Sequence, residues 1–380
     1  MSVRKSIIIK SSLNCNLRCK YCYEFGRSNT DVSTKLNIDM VKQFVNRIAN
    51  LLPDSHLHWL IHGGEPFMLG IEYYKKFFHI LRSSNEHYGT DFQTAVQTNG
   101  TLLNEDWIKL FDDNSDILSE RILSISIDGP KSLNDSVRIM QNKNSCNEVL
   151  LTNFDKIRKT NLKFTTLSVI GRHNVDYPDV MYNYIRELNP LFSKFIPCYN
   201  FDKNGNLEKY GISPIEFANF MCIVFDLWLK DEVHTQKFRL DPIMTILSKL
   251  LNIHVTWCEY RADKCENFIT IFPNGDIWLC DVYNQDEMKD EAYLGNIFKS
   301  TDKELIDIFC NPEKRCAYRT MYNNVVNRCG NCDIKTLCNG GCVTDRFAMQ
   351  KHSQKLFQEY CDGKHILISH IKNAVEQVKD

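Results

Sequence analysis

Three isoleucines flanked by polar residues, SIIIKSS at 6–12, open a series of short apolar runs separated by longer amphipathic stretches. That first run predicts a strand. From Ile38 to Leu52, Met40, Val41, Phe44, Val45, Ile48, Leu51 and Leu52 recur at helical spacing, and Pro53 closes the pattern. Further strands are predicted at LHWLI (57–61), 92–97, ILSISI (122–127), KFTTLSVI (163–170) and SKFIP (193–197). Helices are predicted between them at 71–84, at Asn104 to Phe111 with Asn104 as the N-cap, at 148–159 and at 178–188. Strands alternating with helices imply a parallel sheet flanked by helices, an α/β barrel or a part of one. In that layout the loops leaving the C-terminal ends of the strands carry the active site. From roughly residue 255 the alternation stops, which predicts a second domain, and residues 363–380 read as a C-terminal helix with Ile366, Ile368, Ile371 and Val375 at helical spacing.

Composition narrows the setting. The 380 residues are 43% hydrophobic, enough for one large core and a smaller one. With 46 basic and 47 acidic residues, no overall field recommends nucleic acid or an anionic membrane as partner. The longest apolar run, Phe217 to Leu229, contains Asp226 and is too short to span a bilayer, and the N-terminus lacks a signal-peptide core, so the expectation is a cytoplasmic protein. In such a chain, sixteen cysteines point to metal ligation or redox chemistry rather than to disulfides.

Three of those cysteines, Cys15, Cys19 and Cys22, lie in the loop after the first strand, in SSLNCNLRCKYCYEFG. A structural zinc site wants four protein ligands, and no fourth cysteine lies within the next hundred residues. An iron–sulfur cluster can take three thiolates and leave one iron open for a substrate. The spacing Cys-x3-Cys-x2-Cys, with Tyr21 before the last cysteine, resembles the signature of the radical S-adenosylmethionine (SAM) enzymes. The resemblance implies a partial (β/α)6 barrel and a [4Fe-4S] cluster whose open iron is chelated by the amino and carboxylate groups of SAM. It further implies electron-driven cleavage of SAM to a 5′-deoxyadenosyl radical that takes a hydrogen atom from substrate. It places HGGEP (62–66) on the SAM amino group, which carries Gly64 and Glu65 over as binding residues. Ser126 and Asp128 match ribose-side positions, Arg138 a residue reaching the SAM carboxylate, and Tyr199 an adenine-side position. An Asp-Gly turn and a solvated arginine are the alternatives for Asp128 and Arg138.

The second cysteine field runs Cys265-x9-Gly275-x4-Cys280, then Cys329-x2-Cys332-x5-Cys338-x3-Cys342, and Cys361 after eighteen residues. It resembles the SPASM domain of radical enzymes that modify peptides and proteins. The resemblance implies two auxiliary [4Fe-4S] clusters, one on Cys329, Cys332, Cys338 and Cys361 and the other on Cys265, Cys280 and Cys342, with Cys258 as fourth ligand. Paired zinc sites are the alternative. Cys146, Cys198, Cys222, Cys310 and Cys316 have no place in this pattern. Asp281, directly after Cys280, matches the base of sulfatase-maturing members, with a purely structural hydrogen-bonding role as its alternative.

The expected organisation is therefore a barrel at 1–235, a bridge at 236–257, a SPASM domain at 258–361 and a terminal helix at 362–380. The expected function is a peptide maturase that installs a crosslink, of the cyclophane carbon–carbon type, in a ribosomally made precursor. One alternative is an anaerobic sulfatase-maturing enzyme that makes formylglycine from Cys or Ser, with His62 standing where those enzymes tend to have glutamine. Another is a non-catalytic, colourless zinc scaffold. Expected partners are a precursor peptide, held by the barrel mouth or delivered by a separate recognition protein, and a one-electron donor such as flavodoxin or ferredoxin.

Overall fold

A computed structural model of the chain describes residues 3–24, 34–202, 204–231, 238–263, 265–282, 288–311, 322–323 and 326–377. Cys316 lies outside them. Six parallel strands follow one another across a sheet: β1 (Arg4–Ser12), β3 (His56–Gly63), β4 (Asp91–Thr98), β5 (Leu118–Ser126), β7 (Lys163–Ile170) and β8 (Phe192–Pro197). Helices α1 (Ile38–Leu51), α2 (Ile71–Tyr88), α3 (Glu105–Asp113), α4 (Lys131–Val137), α5 (Cys146–Ile157) and α6 (Pro178–Leu188) lie between them in the chain. Three of their starts are set by side chains that accept orphan backbone N–H groups: Asn37 from Met40, Asn104 from Trp107 and Ser145 from Glu148.

Strand alternation separates the two faces of the sheet. On β3, Leu57, Trp59 and Ile61 are buried, with Trp59 packed against Phe44 of α1 and Phe92 of β4. His58, Leu60 and His62 alternate with them and are half-buried. Register places Lys10 of β1 beside His62. Ser124 and Ser126 of β5 both bond the Gln97 side chain of β4, leaving a polar inner surface.

Among the described strands the sheet stays open, and it is longer than the six-strand series the sequence predicts. β9 (Arg239–Asp241) adds in parallel to β8. At the other edge β10 (Phe268–Ile271) pairs in parallel with β1, and β11 (Asp276–Trp278) and β12 (Tyr293–Asn296) continue antiparallel. The cysteine-rich region thus extends the first sheet instead of building its own, giving the open backbone groups of β1 a partner. The last helix, Gln354–Gln377, begins earlier than predicted and contains Cys361. Near its middle Gly363 lies against α7 (Pro214–Lys230), where a Cβ would come within 2.6 Å of the Pro214 carbonyl. This α7 is the apolar run of the sequence, and no helix among the described residues is long and apolar enough to cross a membrane.

Candidate active site

The cysteine loop leaves β1 at the C-terminal edge of the sheet. Its middle forms strand β2 (Leu17–Cys19), paired antiparallel with β6 (Arg138–Met140), so Cys19 lies opposite Arg138. The Cys22 N–H donates to the Cys19 carbonyl at 3.1 Å, and Asn99, from the loop after β4, donates through Nδ2 to the Cys15 sulfur at 3.6 Å. The thiols of Cys15, Cys19 and Cys22 lie within each other's electrostatic reach, and burial raises Cys15 to about 11 and Cys19 to about 12. Cys198 packs with Tyr21 and Cys19 in a small neighbouring cluster. Three clustered thiols, Cys15 buried and Cys19 and Cys22 half-buried, fit a metal centre whose charge would favour the thiolates.

Gly63 and Gly64 press on this loop. A Cβ on Gly64 would lie 2.0 Å from the Asn14 carbonyl, while the Gly64 and Glu65 N–H groups donate to Ser12 and Asn14 carbonyls at 2.9 and 2.7 Å. Glu65 is fully buried; Oε1 accepts from Phe67 N and Thr98 Oγ1, and Oε2 accepts from Asn99 N at 2.8 Å. Burial raises its pKa to about 6 against those three bonds. In this structure Glu65 therefore ties the loops after β3 and β4 to the cysteine loop.

Asp128 and Arg138 form a buried bidentate pair, Nε to Oδ2 at 2.9 Å and Nη2 to Oδ1 at 3.3 Å, so Arg138 is not a solvated arginine. The same carboxylate accepts from the Tyr21 hydroxyl and from Val169 N. His173, which the sequence reading passed over, stacks on Tyr21 at 5.7 Å with Nε2 3.9 Å from Asp128. Tyr199 points elsewhere, packing against Tyr360 and the last helix.

Asp281 is brought to the same edge by the pairing of β10 and β11 onto β1. Tyr23 donates its hydroxyl to Asp281 Oδ2 at 3.0 Å, Lys10 Nζ lies 3.8 Å and His62 Nδ1 3.9 Å from that oxygen, and Lys10 also pairs with Glu24. The Cys280 sulfur is 3.6 Å from Oδ1. Lys10, Tyr23 and Glu24 were missed in the sequence; the one signal was a lysine, fully buried here, at the end of an apolar strand.

Eight of the remaining cysteines gather in two groups. Cys280 is within electrostatic reach of Cys265 and Cys258, and Cys342 of Cys265. Cys361 is within reach of Cys329, Cys338 and Cys332. All fifteen described cysteines are free.

Family models match this arrangement in two places: the radical SAM superfamily over residues 9–185, and an iron–sulfur cluster-binding domain, SPASM, over 264–333. The chain is a radical SAM enzyme with a SPASM domain. The two models give it SAM and iron–sulfur clusters as cofactors. The SPASM match includes Cys265, Cys280, Cys329 and Cys332 and stops before Cys338. A cysteine-type anaerobic sulfatase-maturating enzyme from Clostridium novyi is 29% identical over 343 residues, 89% of this chain and 87% of its own length. A serine-type enzyme of that name from Bacteroides thetaiotaomicron is 25% identical over 386 residues, 96% of this chain and 88% of its own. In fold the radical SAM enzyme resembles native anSMEcpe, solved with bound AdoMet and the Cp18Cys peptide, at a TM-score of 0.79, 22% identity and coverage of 98% and 99% of the two chains. It also resembles Streptococcus suis SuiB bound to its precursor peptide SuiA, at 0.60, 14% identity and coverage of 91% and 73%.

Proposed function

We propose that this enzyme oxidises a Cys or Ser side chain of a protein substrate to formylglycine. The observation that carries the reading is Asp281 held at the mouth of the inner surface, beside Cys280 and close to the cysteine loop, in a chain similar over most of its length to sulfatase-maturating enzymes. Cys15, Cys19 and Cys22 would hold the SAM-binding cluster. Cys258, Cys265, Cys280 and Cys342 would hold one auxiliary cluster, and Cys329, Cys332, Cys338 and Cys361 the other. When bound, these groups supply a carbon-centred radical chemistry and places for the electron that substrate oxidation releases. The chain's own part is proton transfer and orientation. Asp281 Oδ2 takes the proton of the substrate thiol or hydroxyl, with the Tyr23 hydroxyl fixing the carboxylate. Gly64, Glu65 and Asn99 hold the cysteine loop in place, and Asp128 and Arg138 anchor it from elsewhere through Tyr21 and the pairing of Cys19 with Arg138. Ser126, with Gln97, faces the inner surface where substrate would lie.

Both cysteine-type and serine-type enzymes are among the relatives, so either residue is a candidate substrate. A flavodoxin- or ferredoxin-class donor would feed the first electron, and residues 1–235, 236–257, 258–361 and 362–380 serve as barrel, bridge, SPASM domain and terminal helix. The deciding experiment is anaerobic incubation with SAM, a reductant and sulfatase-derived peptides carrying Cys or Ser at the site. Formylglycine reacts with an aldehyde probe; a dehydrogenated peptide that resists the probe and fragments as a ring supports the second reading, a crosslinking maturase. His62 near Asp281, where sulfatase-maturing enzymes tend to have glutamine, is the residue that sets this chain apart from the first reading.

A further inference from the structure

Cys332 and Cys329 each meet a nitrogen donor that the catalytic reading leaves unused. His365 lies one helical turn beyond Cys361 on the helix Gln354–Gln377, and its Nε2 is 3.3 Å from the Cys332 sulfur. The Asp333 carboxylate lies 3.6 Å from the other ring nitrogen. On the opposite flank Arg346, 1% exposed, donates through Nη1 to the Cys329 sulfur at 3.5 Å and to the Gly340 carbonyl at 3.0 Å, its guanidinium lying over the Phe357 ring. A ligating thiolate has no proton to give, so the shared hydrogen in both contacts belongs to nitrogen. By contrast Cys280, in the other cysteine group, has the anionic Asp281 beside its sulfur.

We propose that Arg346 and His365 are positioning residues that donate N–H···S hydrogen bonds to two thiolates of the cluster on Cys329, Cys332, Cys338 and Cys361, and so raise its reduction potential. The proposal rests on the ligand assignment above. A reduced cluster carries one more negative charge than the oxidised one, so donors aimed at its sulfurs stabilise the reduced form selectively. Arg346, buried and always charged, contributes a fixed cation; His365, on an exposed helix face, contributes from the solvent side.

The test uses the full chain with Cys15, Cys19 and Cys22 replaced by alanine, so that only auxiliary clusters remain, reconstituted and followed by EPR during redox titration. His365→Ala and Arg346→Met should each move one midpoint to more negative potential, leave the other in place and keep the iron content; His365→Gln, which retains an N–H, should restore much of the shift. An unmoved midpoint at full iron content overturns the proposal. So does loss of one cluster in His365→Ala, which would make the imidazole a ligand, or a stoichiometric zinc ion held by Cys332, Asp333 and His365. Cys332→Ala tests the ligand assignment separately: it should lose one auxiliary cluster, and retention of both overturns assignment and proposal together.

Discussion

Asp281 is defined by side chains remote from it in sequence: Lys10 on β1, Tyr23 after the last cysteine of the loop, and His62 at the end of β3. Asp281→Asn keeps an acceptor for Tyr23 but cannot take a proton. It should lower peptide oxidation by about 10²-fold or more while SAM cleavage and iron content persist. Parallel assays of 5′-deoxyadenosine and modified peptide check this, and loss of iron instead would mark Asp281 as structural. Glu65 gives a prediction in pH. Its folded pKa of about 6 lies above the ordinary value of 4.5, so the folded protein binds this proton more tightly than the unfolded chain does. The stability linked to it is present below pH 4.5 and lost as pH rises through 6, roughly 2 kcal/mol at one pKa unit per 1.36 kcal/mol. Glu65→Gln should flatten that part of the stability curve, measured as urea midpoints of the anaerobic enzyme from pH 5 to 7. The cysteine spacing and the Gly-Gly-Glu run were legible because each is local. The environment of Asp281 was not, because 258 residues separate Tyr23 from its acceptor.

At the scale of elements, Gly64 decides how the strand after α1 meets the cysteine loop. Gly64→Ala would drive a methyl into the Asn14 carbonyl, displacing the backbone that carries Cys15. The expected result is a folded protein with about one-third less iron and no SAM cleavage, read by iron assay and by 5′-deoxyadenosine formation. Six strands and five of the helices among them could be read from periodicity because each runs long enough to show its period, as on β3 and β7, whereas the seven-residue α4 does not. The three-residue strands β2 and β6 show no period, yet their pairing sets Cys19 against Arg138. Arg138 and Asp128 were expected to face a ligand; they are also each other's partners, since a buried charge without one is costly. Tyr199 was placed by its position at a strand end, but the side chain turned toward the apolar cluster around Tyr360 and Phe357.

At the scale of the whole molecule, the change in sequence character near residue 255 suggests a boundary where the backbone shows continuity, for β10 pairs with β1 along Ser6 to Ile9. A chain ending at residue 257 would leave that edge of β1 open and remove every proposed auxiliary ligand. It should be insoluble or aggregate, whereas the full holoenzyme should unfold in a single transition by calorimetry. Two independent transitions, or a soluble folded fragment, would show that the sheet is not the unit of stability.

The partnership of Ser6 with Phe268 also carries a clock. A ribosome adding roughly 5–20 residues per second needs about 13–52 s to make the intervening chain. Throughout that interval the first strand is exposed on one side and the cysteine loop is tethered to an unfinished sheet. The cysteine loop is therefore complete in sequence well before the tail that flanks Asp281 has been synthesised.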